Sequence, residues 1–202
     1  MTQQLEALKE QMSVCQSCDL FRTRTNVVFG EGSSTAKIML LGEAPGEDED
    51  IQGVPFIGKA GKKLDSILSY LGVRREDIYI ANSVLCRPPL NRNPTRQELD
   101  ACKWRLDLQI KLIKPKLIVV LGKIAYEQLS GAPLKGALSQ VFPENIKGDW
   151  INYTVGDHDC KVLTTYHPSY HLRSPERAYQ VTLPHWQRVK QWVEKEKHQN
   201  KK

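Results

Sequence analysis

Lys37–Gly42 reads KIMLLG, and Glu43–Asp50 continues it as EAPGEDED. An apolar run this short, closed by glycine, is the signature of a buried strand. Two runs of the same kind follow, Asp77–Val84 (DIYIANSV) and Leu117–Leu121 (LIVVL). Strand-like segments return at Trp150–Val155 and Cys160–Thr165. Helical patterns lie between and around them. The spacing predicts a short helix over Leu5–Met12, and Leu64, Ile67, Leu68 and Leu71 stand at helical spacing before Gly72 closes their helix. Thr95 with Glu98 forms a capping box ahead of the stripe Leu99, Cys102, Leu106, Ile110 and Ile113, and Pro115 ends that helix. Gly122 opens another, to about Leu129, and a last one is expected from roughly Pro184 to Lys197. Glu43–Gly58 is expected to be a loop, and Gly131–Asp149 an irregular stretch. Strands alternating with helices imply an α/β fold, a three-layer α/β/α arrangement with a mostly parallel central sheet.

A chain of 202 residues suits a single domain over residues 1–202, with Lys195–Lys202 as a frayed basic tail. No apolar run approaches the roughly 20 residues of a membrane helix. The N-terminus MTQQLEALKEQ is acidic and lacks an apolar segment, so it does not read as a secretory signal, and a cytoplasmic location is expected. Lys and Arg exceed Asp and Glu by 29 to 23, a net charge of +6. That excess permits a polyanionic partner without requiring one.

The five cysteines are Cys15, Cys18, Cys86, Cys102 and Cys160. An odd number in a chain without a signal argues against a disulfide framework. Cys15 and Cys18 form a C-x2-C pair, which holds two soft ligands on one loop; Cys86 follows a strand and Cys102 lies in a helix. Cys102 also shares the phase of its helix's apolar stripe, which suits an inert buried thiol equally well. Spacing alone leaves zinc and iron–sulfur both open, since an S4 set suits either. Cys160, inside an apolar strand, reads as a core residue.

In a parallel sheet of this kind ligands sit beyond the carboxyl ends of the strands. The segments there are Gly42–Gly46, Asn82, Gly122-Lys123 and Tyr166–Tyr170, and they are expected to converge. Phe56 sits in a polar loop, where it either anchors that loop or stacks on a base. Asn82 offers a donor and an acceptor on one amide, the chemistry that reads a pyrimidine edge, or it caps a turn. His167 is held extended by Pro168.

Taken in order, these segments resemble the family 4 uracil-DNA glycosylases, the iron–sulfur branch of the uracil-DNA glycosylase superfamily. The resemblance runs from Cys15 to about Trp192 and is carried by Cys15-x2-Cys18, Gly42–Asp50, Pro55–Gly61, Asn82, Cys86–Pro89 with Asn91-Arg92, Cys102, Leu121–Lys123 and His167–Tyr170. It implies a monofunctional glycosylase that flips uracil from single- or double-stranded DNA and hydrolyses its N-glycosidic bond, acting as a monomer without a nucleotide cofactor. It implies a [4Fe–4S] cluster on Cys15, Cys18, Cys86 and Cys102, with a structural role. It assigns uracil contacts to Glu43, Ala44, Glu49, Phe56, Asn82 and His167. Phe56 is expected to stack on the base, Asn82 to read its edge, and Glu49 or a neighbouring acid to crowd C5 against thymine's methyl. Catalysis falls to His167, Glu43 and Asn82, with His167 as donor to the uracil oxygen and Glu43 at the start of the water-handling loop. Where the best-known branch has a water-activating Asp, this chain has Ala44. DNA contacts are expected at Lys123, Ser169, His171, Leu172 and Arg173, with a side chain after Ser169 wedging into the duplex. A branch that bonds covalently to the sugar carries a histidine after the third cysteine; Arg87–Asp100 contains none.

Overall fold

Every residue of Ile38–Gly42 and of Leu117–Leu121 is buried, as strands covered on both faces require. The computed structural model describes residues 2–131 and 151–199. Its strands are β1 (Glu31–Gly32), β2 (Ile38–Gly42), β3 (Tyr79–Asn82), β4 (Leu117–Leu121), β5 (Ile151–Val155) and β6 (His158–Thr165). They form one sheet in the order β1-β3-β2-β4-β6-β5, parallel through β3, β2, β4 and β6 and antiparallel at both edges. The chain leaves β2 for β3 on one side and then crosses to β4 on the other. That reversal is a topological switch point, where the loops diverge and leave a recess.

Helices α1 (Gln3–Ser13), α2 (Glu47–Gln52), α3 (Lys59–Leu71), α4 (Arg96–Ile113), α5 (Lys123–Ser130), α6 (Tyr170–Arg173) and α7 (Pro175–Gln199) surround the sheet. Side chains alternate across it, as the two-residue period of a strand demands. Met39, Leu41, Ile118 and Val120 pack with α1, α4 and α5; Ile38, Leu40, Leu117 and Val119 pack with α3 and α7. These two cores are the outer interfaces of the expected three layers. Among the described residues no helix is long and apolar enough to cross a membrane.

The expected elements recur with shifted ends. The second strand is shorter than Asp77–Val84 because Arg75–Asp77 forms a 3-10 turn first. The last helix begins at Pro175 and carries Pro184 inside it. The tail expected to fray from Lys195 is helical through Gln199: Glu196 bridges Lys37 and Lys116, and Lys197 donates to the Gly72 carbonyl, so tertiary partners hold it. The irregular stretch Gly131–Asp149, apart from Gly131, lies outside the described residues, as do Lys201 and Lys202. Glu43–Gly58, expected as a loop, contains α2.

Candidate active site

Gly42 and Asn82 end β2 and β3 side by side in register. A methyl group on Gly42 would lie 2.5 Å from Phe56 Cζ and closer still to Asn82 Oδ1, so only glycine lets the Phe56 ring and the Asn82 amide meet there. Asn82 is 1% exposed, and its Oδ1 finds no hydrogen-bond partner among the described residues. A buried amide oxygen without a protein partner is costly, and a bound ligand or water that supplies a donor removes that cost. Phe56 takes a left-handed backbone, φ +54, uncommon for a non-glycine residue. Arg75 holds that turn, donating to the Phe56 carbonyl at 3.1 Å and the Pro55 carbonyl at 2.6 Å. The His167 ring closes the recess, its centroid 5.6 Å from that of Phe56.

His167 Nδ1 lies 3.2 Å from the Ser169 amide nitrogen and 2.9 Å from the Ser169 hydroxyl. A backbone amide can only donate, so Nδ1 is an acceptor and the proton of the neutral ring sits on Nε2. Burial, reinforced by the nearby Arg173 charge, pushes the imidazole down to about 4. At neutral pH His167 is therefore an uncharged Nε2–H donor. Gly122, with φ +98, passes behind it; a methyl there would sit 3.3 Å from His167 Cβ. Burial raises the Glu43 carboxyl above its ordinary range, and Arg173 opposes that rise. Asn82, Phe56, His167, Glu43 and Arg173 thus share one neighbourhood at the switch point. Ala44, half-buried beside Glu43, packs against the core under α4 and α5.

The acidic run after Glu43 has a structural use that its sequence conceals. Glu49 turns inward and accepts the backbone N–H groups of Gly46 at 3.0 Å, Ile57 at 3.0 Å and Gly58 at 2.8 Å. Asp50, 2% exposed, accepts those of Thr25 and Asn26. Glu47 pairs with Arg87 at 3.3 Å. The acids lie in the first turn of α2, where the helix dipole favours negative charge. Glu49 is consequently a rigid brace joining the turn before α2 to the Phe56 loop.

The residues expected on the DNA side divide. Leu172 is 50% exposed on α6, and Arg173 and Lys123 are exposed as well. Ser169 faces His167 as described. His171 contradicts its expected DNA contact: it is 7% exposed, and its Nε2 lies 3.0 Å from Thr182 Oγ1 on α7. The short helix turns every residue by about 100°, so with His171 on the inner face its neighbour Leu172 points out.

On the other side of β3, Cys15, Cys18, Cys86 and Cys102 line one cavity with Met12, Leu85, Arg24 and Arg105. Among the described residues no group of three or more His, Cys, Asp or Glu side chains is arranged to hold a single metal ion. The four thiols border one shared space, and a donor set of four soft sulfurs fits zinc or an iron–sulfur group. Arg24 Nη1 donates to Cys86 Sγ at 3.2 Å, while burial pushes that thiol up to about 11. Cys160 stands apart, buried in β6, as its sequence position suggests. Arg24, Arg75 and Arg105 escaped the sequence reading because a basic residue carries no periodic signal of its own.

A parallel sheet with a switch point, an unpaired buried amide, a neutral histidine donor and an aromatic ring beside them makes this end of the sheet the candidate ligand site. The family model of the uracil DNA glycosylase superfamily matches residues 29–193. Among curated proteins the chain is similar to the type-4 uracil-DNA glycosylase of Thermotoga maritima, 39% identical over 95% of this chain and 96% of that one. It is similar to the type-4 enzymes of Archaeoglobus fulgidus, 39% identical over 85% of each chain, and of Pyrobaculum aerophilum, 41% identical over 85% and 86%. The chain belongs to the uracil DNA glycosylase superfamily and, within it, to the type-4 uracil-DNA glycosylases.

Proposed function

We propose that this protein excises uracil from DNA, leaving an abasic site for base-excision repair. The observation that carries the reading is the unpaired, buried Asn82 Oδ1 beside the Phe56 ring and the His167 Nε2–H donor. The amide matches a uracil edge: Oδ1 accepts the ring N3–H and Nδ2 donates to O4. Phe56 stacks on the flipped base, and the braced Glu49 supports the wall against a 5-methyl group.

As the N-glycosidic bond breaks, positive charge builds on the sugar and negative charge on the departing uracil. His167, neutral and fixed as an Nε2–H donor, stabilises the charge growing on the uracil oxygen without a proton having to move. Glu43, ionised above its raised pKa, faces the cationic sugar and orients the water. Leu172, an exposed apolar side chain on α6 next to Arg173, fills the gap left by the flipped base. Arg173, exposed near Glu43 and His167, and Lys123 at the start of α5 meet phosphates.

Cys15, Cys18, Cys86 and Cys102 would hold a [4Fe–4S] cluster. When bound, it supplies a cross-link between the segment after α1, the loop after β3 and α4.

The test is an oligonucleotide assay with U:G, U:A and single-stranded uracil in parallel. Uracil-containing strands should become alkali-labile, while thymine strands stay intact. No abasic product at enzyme excess on any of the three substrates would refute the reading.

A further inference from the structure

Arg105 on α4 is 1% exposed, yet no ion pair joins it to a carboxylate among the described residues. Its guanidinium instead grips the chain just behind the base-reading amide. Nη1 and Nη2 donate to the Asn82 carbonyl at 3.2 and 3.1 Å, and Nη2 also reaches the Ser83 carbonyl at 3.0 Å. Nη1 donates to Gln109 Oε1 at 2.6 Å, and Gln109 is itself locked to the Phe29 carbonyl and the Tyr79 hydroxyl. Nε has no partner among the described residues. The same side chain lines the four-cysteine cavity, where Arg24 is a second cation.

A full positive charge held only by neutral dipoles in a protein interior is costly. An iron–sulfur cluster on four thiolates is anionic overall, and its potential responds to nearby charge. A cluster in this cavity would therefore complete the electrostatics that the protein leaves open around Arg105.

We propose that Arg105 is a positioning residue that joins the two sites: its charge faces the cluster, while its planar fork holds the Asn82–Ser83 peptide in the register that aims the Asn82 amide at the base. The proposal rests on the reading above, in which the four cysteines hold a cluster and Asn82 reads uracil. The guanidinium contacts the backbone behind Asn82 and lines the cysteine cavity, so it bridges the two sites.

The test compares the wild-type holoprotein with Arg105→Gln, which removes the charge, and Arg105→Lys, which keeps the charge but not the fork. Wild-type iron content and uracil excision are measured first, so that failure there falls on the functional reading and not on Arg105. The variants are then compared by iron and sulfide content, cluster reduction potential, and kcat and KM on a uracil oligonucleotide. Removing a cation beside the cluster disfavours its more negative, reduced state. The potential should therefore fall in Arg105→Gln and stay near the wild-type value in Arg105→Lys. Both variants should lose kcat by up to about 100-fold, the scale of a 1 Å misplacement, with KM changed far less because the DNA-facing residues are intact. An unchanged potential in Arg105→Gln, or wild-type kcat in an iron-loaded Arg105→Lys, would overturn the proposal. If Arg105→Gln does not accumulate, Arg105→Lys decides alone: amide exchange over residues 79–86 should rise without loss of iron. Unaltered exchange there would also overturn it.

Discussion

Because the Ser169 amide can only donate, it fixes which nitrogen of His167 carries the proton, and burial fixes that the ring is neutral. The two facts have different experimental signatures. A donor that is already neutral shows no titration near 6.5, so excision should pass through that pH without a break. The acid limb instead belongs to Glu43, whose carboxyl burial raises and which must be ionised to act. Activity should fall as pH drops through a value above the ordinary carboxylate range, and Glu43→Gln should lower the rate and remove that limb from the kcat/KM profile. His167→Ala deletes the donor and should lower kcat by ~10²–10³, with iron content unchanged. Iron loss in that variant would mean the ring supports the fold instead. At this scale the positions were legible beforehand, Asn82 and His167 at strand ends and Phe56 in a polar loop, while their roles came only from the resemblance. The tautomer was not, because it depends on an amide two residues on that sequence shows only as Ser169.

At the scale of elements, strands and amphipathic helices announce themselves by period, and β2, β4 and α4 lie within a residue or two of their expected ends. Helix α2 does not. Its GEDED sequence looks like a solvated run, and only the fold reveals that Glu49 and Asp50 point inward to collect backbone N–H groups. Glu49→Ala should leave the Gly46, Ile57 and Gly58 amides without their acceptor. The expected loss is on the order of 1–3 kcal/mol of stability in urea unfolding. Helix α6 misled for a similar reason: four residues are too few for a hydrophobic period to show which side faces in. His171→Ala should therefore lower stability, by removing a buried partner of Thr182. Leu172→Ala should instead weaken excision from duplex DNA more than from single strands, since only a duplex has a gap to fill. The reverse pattern between these neighbours would place the wedge at His171.

Across the whole molecule, three histidines sit in places that disfavour their charge. Burial lowers His167 and His185 to about 4 each and lowers His171 as well. In the unfolded chain each titrates near its ordinary 6.5, so between those values the unfolded state binds more protons than the folded one. Stability is then complete above the unfolded value and is lost as pH falls from about 6.5 toward about 4. The melting temperature should decline over that interval, and His185→Gln should flatten part of the decline. A melting temperature independent of pH across that range would contradict the burial of these rings.

Cys160 gives the molecule an internal blank. Buried in β6 with its thiol pushed up to about 11, it offers almost no thiolate to an alkylating reagent at neutral pH. The other four cysteines share one cavity. A mass-spectrometric count of alkyl groups added to native protein therefore reports on that cavity alone, without background from the core. Near-zero labelling in freshly isolated protein, rising after iron chelation while Cys160 stays unmodified, would turn reagent stoichiometry into a direct gauge of cluster occupancy.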